Sequence, residues 1–177
     1  LAPLGVVGGL VDAIGGGVSW PQLRATLDAV SGREISAALL APNAHQAEAL
    51  KAGPVVLYFY PAAFTKGCTV EAHDFAEATD AFKALGATVI GVSADDIAKL
   101  NEFSVAECRS KFAVASDADQ AIMKAYDAVL EMKPELADRT SYVISPEGKI
   151  LFVYSALDPS GHVEKTMEAV KAWKASH

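Results

Sequence analysis

The chain has 177 residues, enough for one domain with a full core, so its folding requires neither disulfide staples nor a structural metal. Its 15 Lys and Arg stand against 22 Asp and Glu, a net charge of −7, and no basic block or basic helix face occurs. Nucleic-acid binding, which rests on clustered cations, is excluded on that ground.

The first 52 residues read as a segment apart from the rest. Leu1 to Val18 is apolar, but Asp12 and Gly8, Gly9, Gly15 and Gly16 interrupt it. It lacks the basic start and unbroken core of a signal peptide, and it is too broken for a membrane span. Ser19-Trp20-Pro21-Gln22 has the form of a helix start, and Leu23, Leu27 and Val30 continue it as a stripe toward Gly32. A second short helix is expected over 44–51, stopped by Gly53-Pro54.

From residue 54 the pattern sharpens. Val55 to Tyr60 is a continuous β-branched and aromatic run, as expected of a strand buried on both faces, and Pro61 ends it. From Cys68, the residues Ala72, Phe75, Thr79, Phe82 and Leu85 recur at helical spacing until Gly86. Ala87 to Ser93 is a second strand, and Asp95-Asp96 opens a helix toward Glu107. A short strand over 113–116 and a helix over 117–126 follow. The segments 141–145 and 149–154 flank Ser-Pro-Glu-Gly and read as an antiparallel hairpin closed by a type I turn. An amphipathic helix over 160–174 carries Val163, Met167, Val170 and Trp173. Alternating strands and helices imply a parallel sheet, and the hairpin adds antiparallel edges. The expected architecture is an α/β three-layer α/β/α sandwich with a mixed central sheet, forming one domain over 53–177.

Chemistry concentrates at Cys68. It sits where a buried strand gives way to a long helix, so its sulfur faces unsatisfied backbone N–H groups and the positive end of the helix macrodipole. Both favour thiolate over thiol. Gly67 admits close approach of a ligand to the backbone, and Pro61 fixes the entry of the loop. Thr65 can turn its hydroxyl toward the sulfur or toward a substrate oxygen. Glu71 and Asp74 oppose activation if they face the sulfur, and helix geometry allows Glu71 to be close. On local chemistry alone, an inert buried cysteine is an equal alternative. Only one other cysteine is present, Cys108. No Cys-x-x-Cys occurs, and the Cys and His spacings match no zinc site.

The string Pro61-Ala-Ala-Phe-Thr65-Lys-Gly67-Cys68, followed by Thr69-Val-Glu-Ala-His-Asp-Phe75, resembles the active-site segment of peroxiredoxins of the bacterioferritin-comigratory (PrxQ-like) subfamily. The resemblance continues through Asp138-Arg139-Thr140-Ser-Tyr-Val-Ile144 to the last helix, over roughly residues 53–175. It implies a thioredoxin-like fold and a thiol peroxidase that reduces hydrogen peroxide and organic hydroperoxides. Cys68 would be the peroxidatic cysteine, oxidised to sulfenic acid. Thr65, Arg139 and the Gly67 and Cys68 amides would orient the peroxide and stabilise the charge developing on its oxygens. Without the family, Arg139 is merely a charge ahead of a strand.

Many relatives carry a resolving cysteine five residues after the peroxidatic one, where this chain has His73. Others place it in the following helix, and Cys108 suits that arrangement. A Cys68–Cys108 disulfide would then be reduced by thioredoxin or a similar dithiol protein, with no metal, haem or flavin, in a monomer that binds no membrane. Such a bridge needs Cα atoms within about 7 Å, so both helices are expected to unwind locally. The alternative is a non-catalytic thioredoxin-like domain with a structural or redox-sensing disulfide. The bacterial cytoplasm is the expected location, with the periplasm as second choice. Relatives open with Ala-Pro-Asp-Phe, to which only Leu40-Ala-Pro-Asn43 is faintly similar. His73 reads as a surface residue or a proton donor, His162 as a helix cap, and Trp20 and Trp173 as packing residues.

Overall fold

The computed structural model describes residues 53–146 and 150–177. The expected helices starting at Ser19 and over 44–51, together with Trp20 and the Leu40–Asn43 stretch, lie outside the described residues. So do Glu147 and Gly148 of the expected hairpin turn.

The elements in chain order are β1 (Val55–Phe59), α1 (Lys66–Ala84), β2 (Thr88–Ser93), α2 (Ile97–Ala106), β3 (Ala113–Ser116), α3 (Ala121–Ala125), β4 (Thr140–Ile144), β5 (Ile150–Ser155) and α4 (His162–Ala175). The five strands form one sheet in the order β3-β2-β1-β4-β5. β1 runs parallel to β2, and β2 to β3, while β4 is antiparallel to both β1 and β5. The mixed thioredoxin-like sheet expected from the sequence is therefore present.

β1 lies at the centre and every one of its residues is buried, which explains its unbroken apolar run. Its side chains alternate between two cores. Leu57 and Phe59 join Ile122, Met123 and Tyr126 of the α3 side. Val56, Tyr58 and Tyr60 meet Phe75 and Phe82 of α1, Leu100 and Phe103 of α2 and Val170 of α4. Of the α1 stripe, Ala72, Phe75, Thr79 and Phe82 are buried as its spacing predicts, Leu85 is half-buried just past the helix, and truncating Phe75 to alanine would cost about 3–5 kcal/mol. Gly86 ends α1 in the left-handed conformation (φ 79), its amide bonded to Lys83 O at 2.9 Å.

One helix is shorter than expected. The segment 117–126 yields only Ala121–Ala125, because the buried Asp117 carboxylate accepts from Ile122 N at 3.0 Å and Met123 N at 2.8 Å. That side chain takes the place of a preceding helical turn, and Gln120 enters the helix from a left-handed conformation (φ 60).

Two features of this topology position the site. The C-terminal ends of β1 and β2 lie side by side, with Phe59 paired to Val92, so the loops leaving them meet. Because β4 is antiparallel to β1, its first residue Thr140 pairs with Phe59. Arg139, the residue just before Thr140, is thereby delivered to the loop that leads into α1.

Candidate active site

Thr65 is the N-cap of α1, which places Cys68 in the helix's first turn. The first helical bond runs from Thr69 N to Thr65 O at 2.9 Å. Helix geometry therefore leaves the amides of Lys66, Gly67 and Cys68 directed out of the helix start. Cys68 is a free thiol, 2% exposed.

Arg139 is also buried, 5% exposed, and contacts three groups at once. Its Nη2 lies 3.4 Å from Cys68 Sγ, its Nε donates to Leu157 O at 2.8 Å, and its Nη1 donates to Glu71 Oε2. Burial works against the guanidinium charge, but the Glu71 carboxyl and the Cys68 sulfur beside it hold its pKa above the ordinary value. The solvated arginine that the bare sequence allowed is thus replaced by a buried one aimed at the sulfur. Gly67 makes this arrangement fit: a Cβ there would stand 3.0 Å from Arg139 Nη2. The glycine expected to admit a ligand also makes room for the arginine.

Glu71 does come close, but as the partner of Arg139. Burial pushes its carboxyl up to about 8, with Arg139 opposing the rise. Its other oxygen, Oε1, has no hydrogen-bond partner and lies 3.6 Å from His162 Nδ1. His162 is fully buried, which corrects its reading as a cap; Gly161 occupies the N-cap of α4. His162 Nε2 lies 2.9 Å from Ala156 O and its Nδ1 2.8 Å from Ser141 Oγ. Since a carbonyl only accepts, Nε2 carries the proton, and in the neutral ring Ser141 donates to Nδ1. Burial holds the His162 pKa down, favouring that neutral form. Behind the cysteine there is thus a buried chain, Cys68–Arg139–Glu71–His162–Ser141, drawn from α1, β4 and α4.

The remaining expected residues sit around this core. Pro61 is half-buried at the end of β1, and Thr65 is exposed, its Oγ1 donating to Ala62 O at 2.8 Å. His73 pairs with Glu107 at 2.6 Å, on the far side of the helix start. Cys108 is a fully buried free thiol just past α2, its amide bonded to Phe103 O at 3.1 Å. Burial first, and then Glu107, push its thiol pKa far up. Trp173 stacks on His177 with ring centroids 4.6 Å apart. Among the described residues, no group of three His, Cys, Asp or Glu side chains is placed to hold a metal, and no helix is long and apolar enough to cross a membrane.

A buried thiol in the first turn of a helix, an arginine beside it and a thioredoxin-like sheet are the setting the chain shares with a family of thiol peroxidases. The chain belongs to the AhpC/TSA family, whose model matches residues 34–153. It is 31% identical over 165 residues to a putative chloroplastic peroxiredoxin Q of Oryza sativa subsp. indica, covering 84% of this chain and 76% of that relative. The crystal structure of the peroxidoxin BcpB of Mycobacterium tuberculosis matches with a TM-score of 0.65 at 32% identity, over 71% of this chain and 82% of that one. A bacterioferritin comigratory protein of Xanthomonas campestris, described for its alkyl peroxide reduction activity, matches with a TM-score of 0.63 at 29% identity, over 73% and 85% of the two chains. Like these peroxiredoxins, the chain is a peroxidase.

Proposed function

We propose that Cys68 is the peroxidatic cysteine and that hydrogen peroxide and organic hydroperoxides are its substrates. The observation that carries this reading is Arg139 Nη2, 3.4 Å from a buried Cys68 Sγ. The Cys68 thiolate attacks the terminal peroxide oxygen; the S–O bond forms as the O–O bond breaks. The electron pair leaves on the departing oxygen, which takes a proton to give water or an alcohol, and Cys68 becomes sulfenic acid. Arg139 and the amides of Gly67 and Cys68 are the donors aimed at that developing charge, and removing one such donor typically slows a reaction about 10²–10³-fold. Thr65 contributes a hydroxyl oxygen at the mouth of the site, and Pro61 sets the loop that carries it.

In the second half of the cycle Cys108 attacks the sulfenic sulfur, water leaves, and a disulfide forms. A thioredoxin-type dithiol then reduces it. Cys108 is too deeply buried to ionise where it stands, so α2's end must open before it can act. The reading extends to a monomer in the bacterial cytoplasm, where dithiol reductants keep thiols reduced. Residues 53–177 are the working domain in this reading.

Free thiols are titrated before and after one equivalent of hydrogen peroxide, and the oxidised peptides are mapped by mass spectrometry. The expected result is loss of both thiols and a Cys68–Cys108 cross-link within one chain. A Cys68→Ser variant that consumes peroxide normally would overturn the assignment of Cys68. A wild-type product with Cys68 as sulfinic acid and Cys108 unmodified would overturn that of Cys108.

A further inference from the structure

Between β1 and α1 the chain must turn so that Thr65 caps the helix ahead of Cys68, and it does so through an unfavourable conformation. Phe64 has φ 64, a left-handed backbone on an aromatic residue, a kind of strain that persists only where its surroundings impose it. Two contacts impose it. The Phe64 ring meets the fully buried Phe103 of α2 edge-on, with centroids 5.2 Å apart. The amide of Ala63, just before Phe64, donates to Asp95 Oδ2 at 2.7 Å.

Asp95 is well placed to anchor that amide. Ser93 Oγ donates to the same Oδ2 at 2.8 Å, Lys99 Nζ holds Oδ1 at 2.6 Å, and Ser116 Oγ of β3 donates to the Asp95 carbonyl at 2.6 Å. Its neighbour Asp96 does the helix capping, accepting from Lys99 N at 2.9 Å, so the Asp95 side chain is not the cap of α2. It reaches 32 residues back along the sequence to the loop of the reactive cysteine.

We propose that Asp95 is a positioning residue for peroxide reduction, acting through the Ala63 amide to hold Phe64 left-handed and Thr65 at the cap of α1. This inference rests on the assignment of Cys68 as the attacking thiol. Asp95 touches no reacting atom; it fixes the loop geometry in which peroxide is received. Releasing the loop lets the first turn of α1 loosen, which hinders peroxide attack but leaves the later opening toward Cys108 unhindered.

The test compares Asp95→Ala, Asp95→Asn and Lys99→Met by the rate of Cys68 oxidation with hydrogen peroxide and, separately, the rate of disulfide formation. Asp95→Ala is expected to slow Cys68 oxidation by roughly ten- to a hundred-fold, the size of effect that misplacement at a reacting centre produces. Disulfide formation should be unchanged or faster. Asp95→Asn retains one acceptor for Ala63 and should fall between it and wild type; Lys99→Met, which removes only the ion pair, should stay near wild type. Hydrogen exchange of the Ala63–Thr65 amides should quicken in the order Lys99→Met, Asn, Ala. Should the alanine variant fail to fold, the asparagine variant and its exchange rates carry the comparison. Wild-type oxidation rates in both Asp95 variants would overturn the inference, as would an equal loss in Lys99→Met. A wild-type protein that consumes no peroxide through Cys68 would instead overturn the assignment on which it rests.

Discussion

A methyl group at position 67 would stand 3.0 Å from Arg139 Nη2, closer than packed atoms normally come, with Cζ at an ordinary 3.7 Å. Arg139 cannot swing away freely, because Leu157 O and Glu71 hold the rest of its fork. Alanine in place of glycine should favour the helix by up to about 1 kcal/mol. Gly67→Ala is therefore expected to raise or preserve the melting temperature while lowering kcat/KM for peroxide, on the order of ten-fold, from a displacement of a few tenths of an ångström. Calorimetry and a stopped-flow assay on the same sample check the opposed signs. Arg139→Lys keeps the charge but cannot reach the sulfur, Glu71 and Leu157 O together, and should cost about 10²-fold in kcat/KM with KM little changed. At this scale, Thr65, Gly67 and Cys68 stood out because they fall in one short motif, and Arg139 only because the resemblance continues to Asp138-Arg139. It did not reveal His162 or the pairing of Glu71. The first depends on α4 folding back across β4 and the second on β4 pairing with β1, and no local spacing encodes either contact.

At the scale of elements, α1 and the stretch after α2 are joined by two ion pairs and the His73–Glu107 hydrogen bond. His73, Glu77 and Asp80 recur at helical spacing on one face of α1 and meet Glu107, Arg109 and Lys111 at 2.6, 3.7 and 3.6 Å. These partners flank Cys108, so the segment whose opening the proposed cycle requires is held to the helix that carries Cys68. The same segment is strained, since Arg109 and Ser110 both have φ 53. Exposed pairs contribute about 0–1 kcal/mol each and weaken with salt. Raising ionic strength should accordingly speed Cys68–Cys108 disulfide formation by up to roughly ten-fold, the factor that about 1.4 kcal/mol represents. A Glu77→Gln, Asp80→Asn, Glu107→Gln variant should form the disulfide fast at low salt and lose the salt dependence. Quenched-flow trapping of free thiols measures both. The helices themselves were readable from periodicity, including α1 and its Gly86 stop. The latch was not, because alternate residues of a loop can face any neighbour until the fold sets their direction. The shortened α3 has a similar origin in Asp117, whose carboxylate replaces backbone bonds that propensity alone assigns to a helix.

The molecule as a whole brings Glu71, Arg139, Ser141 and His162 together from α1, β4 and α4, and this convergence gives stability a pH dependence. The unbroken β1 run and the closing hairpin made the mixed sheet readable, and the antiparallel pairing of β4 with β1 is what carries Arg139 to α1. Glu71 is fully buried there, with its carboxyl pushed up from 4.5 to about 8. The folded protein thus holds a proton that the unfolded chain releases above its ordinary carboxyl pKa. The resulting stabilisation is complete below about 4.5 and is lost as pH rises through about 8, by up to about 1.4 kcal/mol per pH unit for one proton. Burial raises Asp117 to about 6, so its contribution has the same sign but is spent at lower pH. His162 acts oppositely: burial depresses its pKa below 6.5, so its neutral form stabilises above that value and the benefit fades on acidification. From pH 7 to 8.5, Glu71 is the one of these three that titrates. The melting temperature of the wild type should fall across that interval, by roughly 3–6 °C per pH unit for a domain of this size. Glu71→Gln, which still offers Arg139 an acceptor oxygen but has no proton to lose, should be flat over the same range. Parallel curves for the two proteins would show that the Glu71 carboxyl is already ionised at neutral pH and that Arg139 balances it fully.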